Sequence, residues 1–148
     1  MKKGFILPII LALLIGYLCA NYVVALYEEE NDITKTNIYF LQAGAYDNIS
    51  STKDELININ NKLTVKEKGK YYTYIGITKD ASIALKIKEL YKNNNINLFI
   101  KNVRINNNDF LTELEQYDIL LKNSKTFDEV NSVLKTILAT YEERVLNR

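Results

Sequence analysis

Two short segments of this chain carry most of the side chains suited to recognising a ligand. Tyr39-Phe-Leu-Gln-Ala-Gly44 and Tyr71-Tyr-Thr-Tyr-Ile-Gly76 repeat one pattern at an offset of 32 residues, each aromatic-rich and each reaching a glycine. Phe40, Tyr72 and Tyr74 offer ring faces for stacking, and Gln42 offers an amide that both donates and accepts hydrogen bonds. Tyrosine also favours half-buried strand positions for packing reasons alone, so each ring taken singly has an ordinary explanation. Gln42 has none so simple, because an amide flanked by Phe40, Leu41 and Ala43 has no evident packing role.

What the chain lacks narrows its chemistry further. It contains no histidine, and its one cysteine, Cys19, sits inside a long apolar run. Zinc sites of the Cys/His type, Ser-His-Asp triads and Cys-His nucleophiles are therefore out of reach. One cysteine makes no intrachain disulfide, so the compartment cannot be read from cysteine pairing. A glycan-cleaving pair of carboxylates would have to flank a cleft. The acids here instead cluster on predicted helices, as Asp54/Glu55, Asp128/Glu129 and Glu142/Glu143, or in a tether near the N-terminus. The expectation is a binding protein, not an enzyme, with no metal and no cofactor.

The elements around the two segments define a fold. Each aromatic strand is followed by a polar loop and a helix, over Ser51–Leu63 and Ala81–Asn93. In the second helix Ile83, Ala84, Ile87, Leu90 and Tyr91 form one apolar stripe behind Asp80 as N-cap. The first places Leu56, Ile59 and Leu63 on one face, and its asparagines predict a short helix. Thr64–Lys68 and Lys70–Ile77 read as a hairpin turning at Gly69, and Asn97–Ile105 as a last strand. The order strand, helix, strand, strand, helix, strand predicts an α+β fold (βαββαβ, ferredoxin/RNP-like). It is a four-stranded antiparallel sheet with two helices on one face and the other face open. Alternation points Leu41, Ala43, Thr73 and Ile75 at the helices, and Phe40, Gln42, Tyr72 and Tyr74 at the open face. The glycines Gly44 and Gly76 are expected where the chain bends out of its strands. Leu98, Phe99 and Ile100 are consecutive apolar residues and leave the parity of the last strand open.

Outside residues 37–105 lie two further regions. Lys2 and Lys3 precede Phe5–Tyr27, 23 residues without a charge, and Glu28, Glu29 and Glu30 follow. As a helix this run is about 34 Å long, enough to cross a hydrocarbon core of about 30 Å. Positive charge on the N-terminal side alone predicts residues 1–4 in the cytoplasm and everything after Tyr27, the tether at 28–36 included, outside. A cleaved signal peptide, with Val23-x-Ala25 as its cleavage site, is the competing reading, and it exports the same domain. At the other end, 106–148 predicts a helical hairpin. Its first stripe is Phe110, Leu111, Leu114, Tyr117, Leu120 and Leu121. Its second is Phe127, Val130, Val133, Leu134, Ile137, Leu138 and Tyr141, opened by the capping box Thr126–Glu129.

At residues 37–105 the chain resembles the SPOR domain, through Ile38-Tyr-Phe-Leu-Gln42-Ala-Gly44-Ala-Tyr46 and Tyr71-Tyr-Thr-Tyr-Ile-Gly76-Ile. The resemblance implies the fold just described and a function, binding of bacterial peptidoglycan glycan strands in connection with cell division or sporulation. It implies a glycan-binding face holding Gln42, with Phe40, Tyr72 and Tyr74 around it. Sugar rings present C–H faces that pack on aromatics, and their hydroxyls and acetamides suit a glutamine. Ala45 stands where some members have a serine, and Tyr72 where many have arginine, so those two contacts are in doubt. The partners expected are peptidoglycan and, through Phe5–Tyr27, the membrane. Nucleic acid is not expected: residues 28–148 hold 17 of the 19 basic side chains and all 18 acidic ones, a net charge of −1, without the positive surplus that polyanion binding draws on. The alternative function is an envelope scaffold that recruits a protein through the C-terminal hairpin.

Overall fold

In a computed structural model, the chain divides into two compact units, Met1–Lys35 and Thr36–Arg148. The structure describes residues 15–21, 36–51, 59 and 61–147. In the first unit residues 15–21 are helical; the rest of the predicted membrane span 5–27 lies outside the described residues. Among the described residues no helix is long and apolar enough to cross a membrane.

The second unit is α+β. Its strands are β1 (Thr36–Tyr46), β2 (Leu63–Glu67), β3 (Lys70–Thr78) and β4 (Phe99–Ile105), and the sheet order is β2-β3-β1-β4 with every neighbouring pair antiparallel. β2 and β3 are joined at Lys68 (φ 48) and Gly69 (φ 83). Positive φ at both central residues gives the two-residue turn whose twist matches a hairpin. β3 and β4 run parallel with β1 between them, and α1 (Ala81–Lys92) connects them, completing a split β-α-β unit. Asp80 caps α1, its carboxylate accepting from the backbone N–H groups of Ser82 and Ile83 at 2.7 and 3.4 Å. Ile83, Ala84, Ile87 and Tyr91 are buried as their spacing predicts, while Leu90 is only partly buried.

Two expectations need correction. The helix predicted over 51–63 stops short. Residues 49–51 are helical, Leu56 lies outside the described residues, and by Ile59, Asn61 and Lys62 the backbone is no longer helical. Leu63 starts β2 instead, paired with Tyr74. The burial predicted for Ile59 and Leu63 holds all the same, because an apolar side chain gains its transfer energy in any backbone conformation. The glycines do not end their strands either: β1 continues to Tyr46 and β3 to Thr78. Both lie at irregularities in the β1–β3 register, which skips Ile75 on one strand and Ala43 on the other. Their physical reason is close approach. The Tyr46 ring occupies the space a side chain at Gly44 would need, and a Cβ on Gly76 would come within 2.7 Å of Leu134 and 3.0 Å of Leu41.

The C-terminal hairpin forms as α2 (Asn108–Asn123) and α3 (Phe127–Tyr141), followed by a π-helical turn at Glu142–Leu146. The Thr126–Glu129 capping box is complete. The helices are antiparallel, with Phe110 near the start of α2 against Tyr141 at the end of α3, ring centroids 5.2 Å apart. Both helices pack onto the sheet domain. Because Ile87 is buried in the core they share, Ile87→Ala is expected to lower the unfolding free energy by roughly 2–5 kcal/mol, measured by chemical denaturation. A loss under about 0.5 kcal/mol would place α1 outside the core.

Candidate functional site

The register brings the ligand-type residues onto one sheet face. Directly opposed residues of antiparallel strands share a face. Leu63 opposes Tyr74, Tyr74 opposes Gln42, and Gln42 opposes Phe99, so one row crosses all four strands. Beside it Val65 opposes Tyr72, and Phe40 opposes Lys101. Phe40, Gln42, Tyr72 and Tyr74 thus lie together, as the alternation predicts. The parity of β4, open in the sequence, is settled by its pairing: Phe99 and Lys101 join this face.

The face is not open throughout. Phe40 is 3% exposed and Tyr74 2%, so neither offers a ring to a ligand, contrary to the expectation from alternation. Their cover is the hairpin. Tyr141 of α3 packs edge-on against Phe40 with centroids 5.2 Å apart, and Phe40 in turn packs against Tyr74 at 4.8 Å. Alternation assigns a residue to a face but says nothing about what lies on it, and the covering residue is about 100 positions away in the chain. Gln42 and Tyr72 remain half-buried and Phe99 is 64% exposed. No side chain among the described residues hydrogen-bonds the Gln42 amide.

Lys101 lies at the centre of what remains accessible. Its ammonium donates to the Tyr74 hydroxyl at 3.1 Å and to the Glu67 carboxylate at 3.1 Å. It sits 5.0 Å from the Tyr72 ring centroid and 5.8 Å from that of Tyr74, within cation–π range. Burial works against its charge, but the hydrogen bonds to Tyr74 and Glu67 prevail and raise its pKa above the ordinary lysine value. Burial likewise raises the Tyr74 phenol, with the Lys101 hydrogen bond pulling the other way. A groove of about 310 Å³ opens next to this cluster, between the sheet and the end of α3, walled by Val103, Tyr141 and Leu146. Sequence reasoning missed Lys101, Glu67 and Phe99. The only available signal was the fixed register of an edge strand.

A second polar cluster holds the hairpin in place. Asp118 of α2 is buried and accepts from the Thr78 hydroxyl at 2.6 Å and the Lys79 backbone N–H at 2.9 Å. Lys79 also pairs with Glu115. The Lys86 ammonium of α1 donates to the carbonyls of Leu121, Lys122 and Ser124 at 3.1, 3.3 and 2.9 Å, capping the negative end of α2. The Tyr91 hydroxyl donates to the Asn131 side chain, and burial pushes that phenol up to about 12. Every member of this set has a protein partner, which gives it a structural role. Among the described residues no group of acidic or cysteine side chains converges as metal ligands do.

Burial raises the Asp118 carboxyl above the usual aspartate value, the Thr78 and Lys79 hydrogen bonds only partly opposing it. The ionised form is therefore penalised more in the folded than in the unfolded chain. That penalty is absent below the unfolded value of about 3.9 and complete once pH exceeds the raised folded value. Relative to Asp118→Asn, the wild type should lose stability as pH rises through this window, seen as a pH-dependent gap between their urea midpoints. Asp118→Ala should cost about 1–3 kcal/mol at neutral pH, because it strands the buried Thr78 hydroxyl and the partly buried Lys79 N–H.

Compared with known proteins, the chain matches no family model, no curated protein and no solved structure.

Proposed function

We propose that this chain is a membrane-anchored envelope protein of the SPOR type, whose Thr36–Arg148 unit binds peptidoglycan glycan strands in cell division or sporulation. The observation that carries the reading is the Gln42–Phe99 pair. An amide with no hydrogen-bond partner among the described residues lies directly across from an exposed aromatic ring, with the half-buried Tyr72 on the same sheet face. An exposed ring beside such an amide suits a sugar, which presents apolar C–H faces and polar edges at once. The strand order and the split unit agree with the resemblance in the sequence. With Phe40 and Tyr74 covered, Gln42, Phe99 and Tyr72 are the contact residues.

Sedimentation of the detergent-solubilised full-length chain with purified peptidoglycan tests this. Wild type should pellet with the glycan. Gln42→Ala should weaken retention several-fold, as loss of a hydrogen bond worth about 0.5–1.5 kcal/mol implies. Adding Phe99→Ala should remove most of what is left without moving the thermal midpoint. Phe40→Ala should lower the midpoint, as a core residue does. A Gln42→Ala/Phe99→Ala variant that pellets like wild type would put the binding face elsewhere.

The scaffold reading has one observation in its favour: Ile119 and Leu120 on α2 are 61% and 51% exposed. Under the glycan reading, Ile119→Asp with Leu120→Asp leaves peptidoglycan retention unchanged. Under the scaffold reading, the same pair of changes abolishes cross-linking to an envelope protein in cells, and glycan retention is absent from the start.

A further inference from the structure

We propose, resting on that glycan-binding reading, that Lys101 makes the face selective for a sugar bearing a carboxylate, with Glu67 as the resident partner that this carboxylate replaces. Exposed lysines are ordinarily long, mobile charges of little specificity. Lys101 differs because its ammonium is held on one side by the Tyr74 hydroxyl, at 3.1 Å, over the Tyr72 ring. Tyr74 is itself fixed by burial against Phe40. The positive charge is thus positioned on the same face as Gln42 and Phe99, where a sugar stacked on the aromatics would lie.

The ammonium is also reachable. Its side chain is 38% exposed, and two of its three N–H donors are used, by Tyr74 and Glu67. The groove beside it, about 310 Å³, is at the small end of ligand sites, the scale of a single sugar. Glu67 comes from the last position of β2, next to the hairpin turn, and its side chain is 47% exposed. Swinging it into water breaks one ammonium–carboxylate bond. A ligand carboxylate restores that bond, so the exchange preserves the charge pairing. A neutral sugar offers only hydroxyl and amide oxygens, and a hydrogen bond between charged partners is roughly twice as strong as one between neutral groups. The site therefore favours an acidic sugar over a neutral one.

The test uses the full-length chain and two probes: glycan strands stripped of stem peptides, and the same strands with their carboxylates converted to methylamides. Wild type is expected to bind the native strands about tenfold more tightly than the amidated ones. Lys101→Gln should bind both alike, at the level of wild type on amidated strands, while Lys101→Arg keeps the preference. Glu67→Gln, at an exposed position, should bind native strands several-fold more tightly than wild type, a gain that a purely structural role for the pair would not produce. Equal binding of both probes by wild type would overturn selectivity by Lys101 and leave glycan binding standing. A Lys101→Gln variant that still prefers native strands would do the same. Failure of wild type to bind either probe would overturn both readings.

Discussion

The structure depends on the burial of β3 from both sides. From Thr73 through Thr78 every residue of the strand that has a side chain to bury is out of solvent. A strand of an open four-stranded α+β sheet ordinarily has helices on one face and solvent on the other. Here the hairpin supplies the second cover. The pairing of β2 with β3 ends at Tyr74, so among the described residues the half of β3 beyond it has a strand neighbour only in β1. Leu134 of α3 fits against Gly76 in that half, and Tyr141, two turns further along the helix, reaches Phe40. An apolar helix laid along the unfilled half of a central strand removes an edge that would otherwise invite pairing with another chain. Glycine at 76 is what lets the helix come that close.

That docking divides the sheet face in two. The part under α3 holds Phe40 and Tyr74 and belongs to the core. The part beyond it holds Gln42, Tyr72, Phe99 and Lys101 and stays accessible. The two parts cooperate, since the buried one sets the geometry of the exposed one. Phe40 and Tyr141 fix the Tyr74 ring, and the Tyr74 hydroxyl fixes the Lys101 ammonium. The polar attachments of the hairpin follow a similar logic. Asp118 is costly to bury, yet it satisfies the Thr78 hydroxyl and the Lys79 N–H where β3 gives way to α1. Lys86 meets the three carbonyls at the end of α2. Groups at the ends of elements, which would otherwise be stranded by burial, are matched with each other.

Local chemistry was legible in the sequence to the degree that it is local. The Asp80 cap, the Thr126–Glu129 box, the turn at Gly69 and the stripes of α1, α2 and α3 are each set by residues within a turn or two of one another, although Leu120, expected in the α2 stripe, is 51% exposed at its margin. Strand order followed from the sequence of elements. What could not be read is what depends on distant partners. Gly44 and Gly76 look like strand terminators because glycine is the usual residue at a bend, and only Tyr46 and Leu134 reveal that it is there for space. Phe40 and Tyr74 fall on the right face by parity, but their burial by Tyr141 is a tertiary event with no trace in either segment. Leu63 carries the apolar character expected of a helix stripe and serves equally well in β2, since a single apolar position is compatible with either period.

The same dependence on distant partners separates Phe40 and Tyr74, which are covered, from Gln42 and Tyr72, which remain half-buried. Along β3 the sequence presents a cluster of rings, Tyr71, Tyr72 and Tyr74. A sheet surface, however, is composed of rows that cross strands, and each row draws one residue from each strand in the order the register dictates. One such row takes Gln42 from β1, Tyr74 from β3 and Phe99 from β4, segments separated by up to 57 positions in the chain. A cation from β4, the Lys101 ammonium, lies 5.0 Å from the centroid of the Tyr72 ring on β3. A side chain on one strand thus sets the charge beside a ring on another, because the surface of a sheet is composed across strands and not along any one of them.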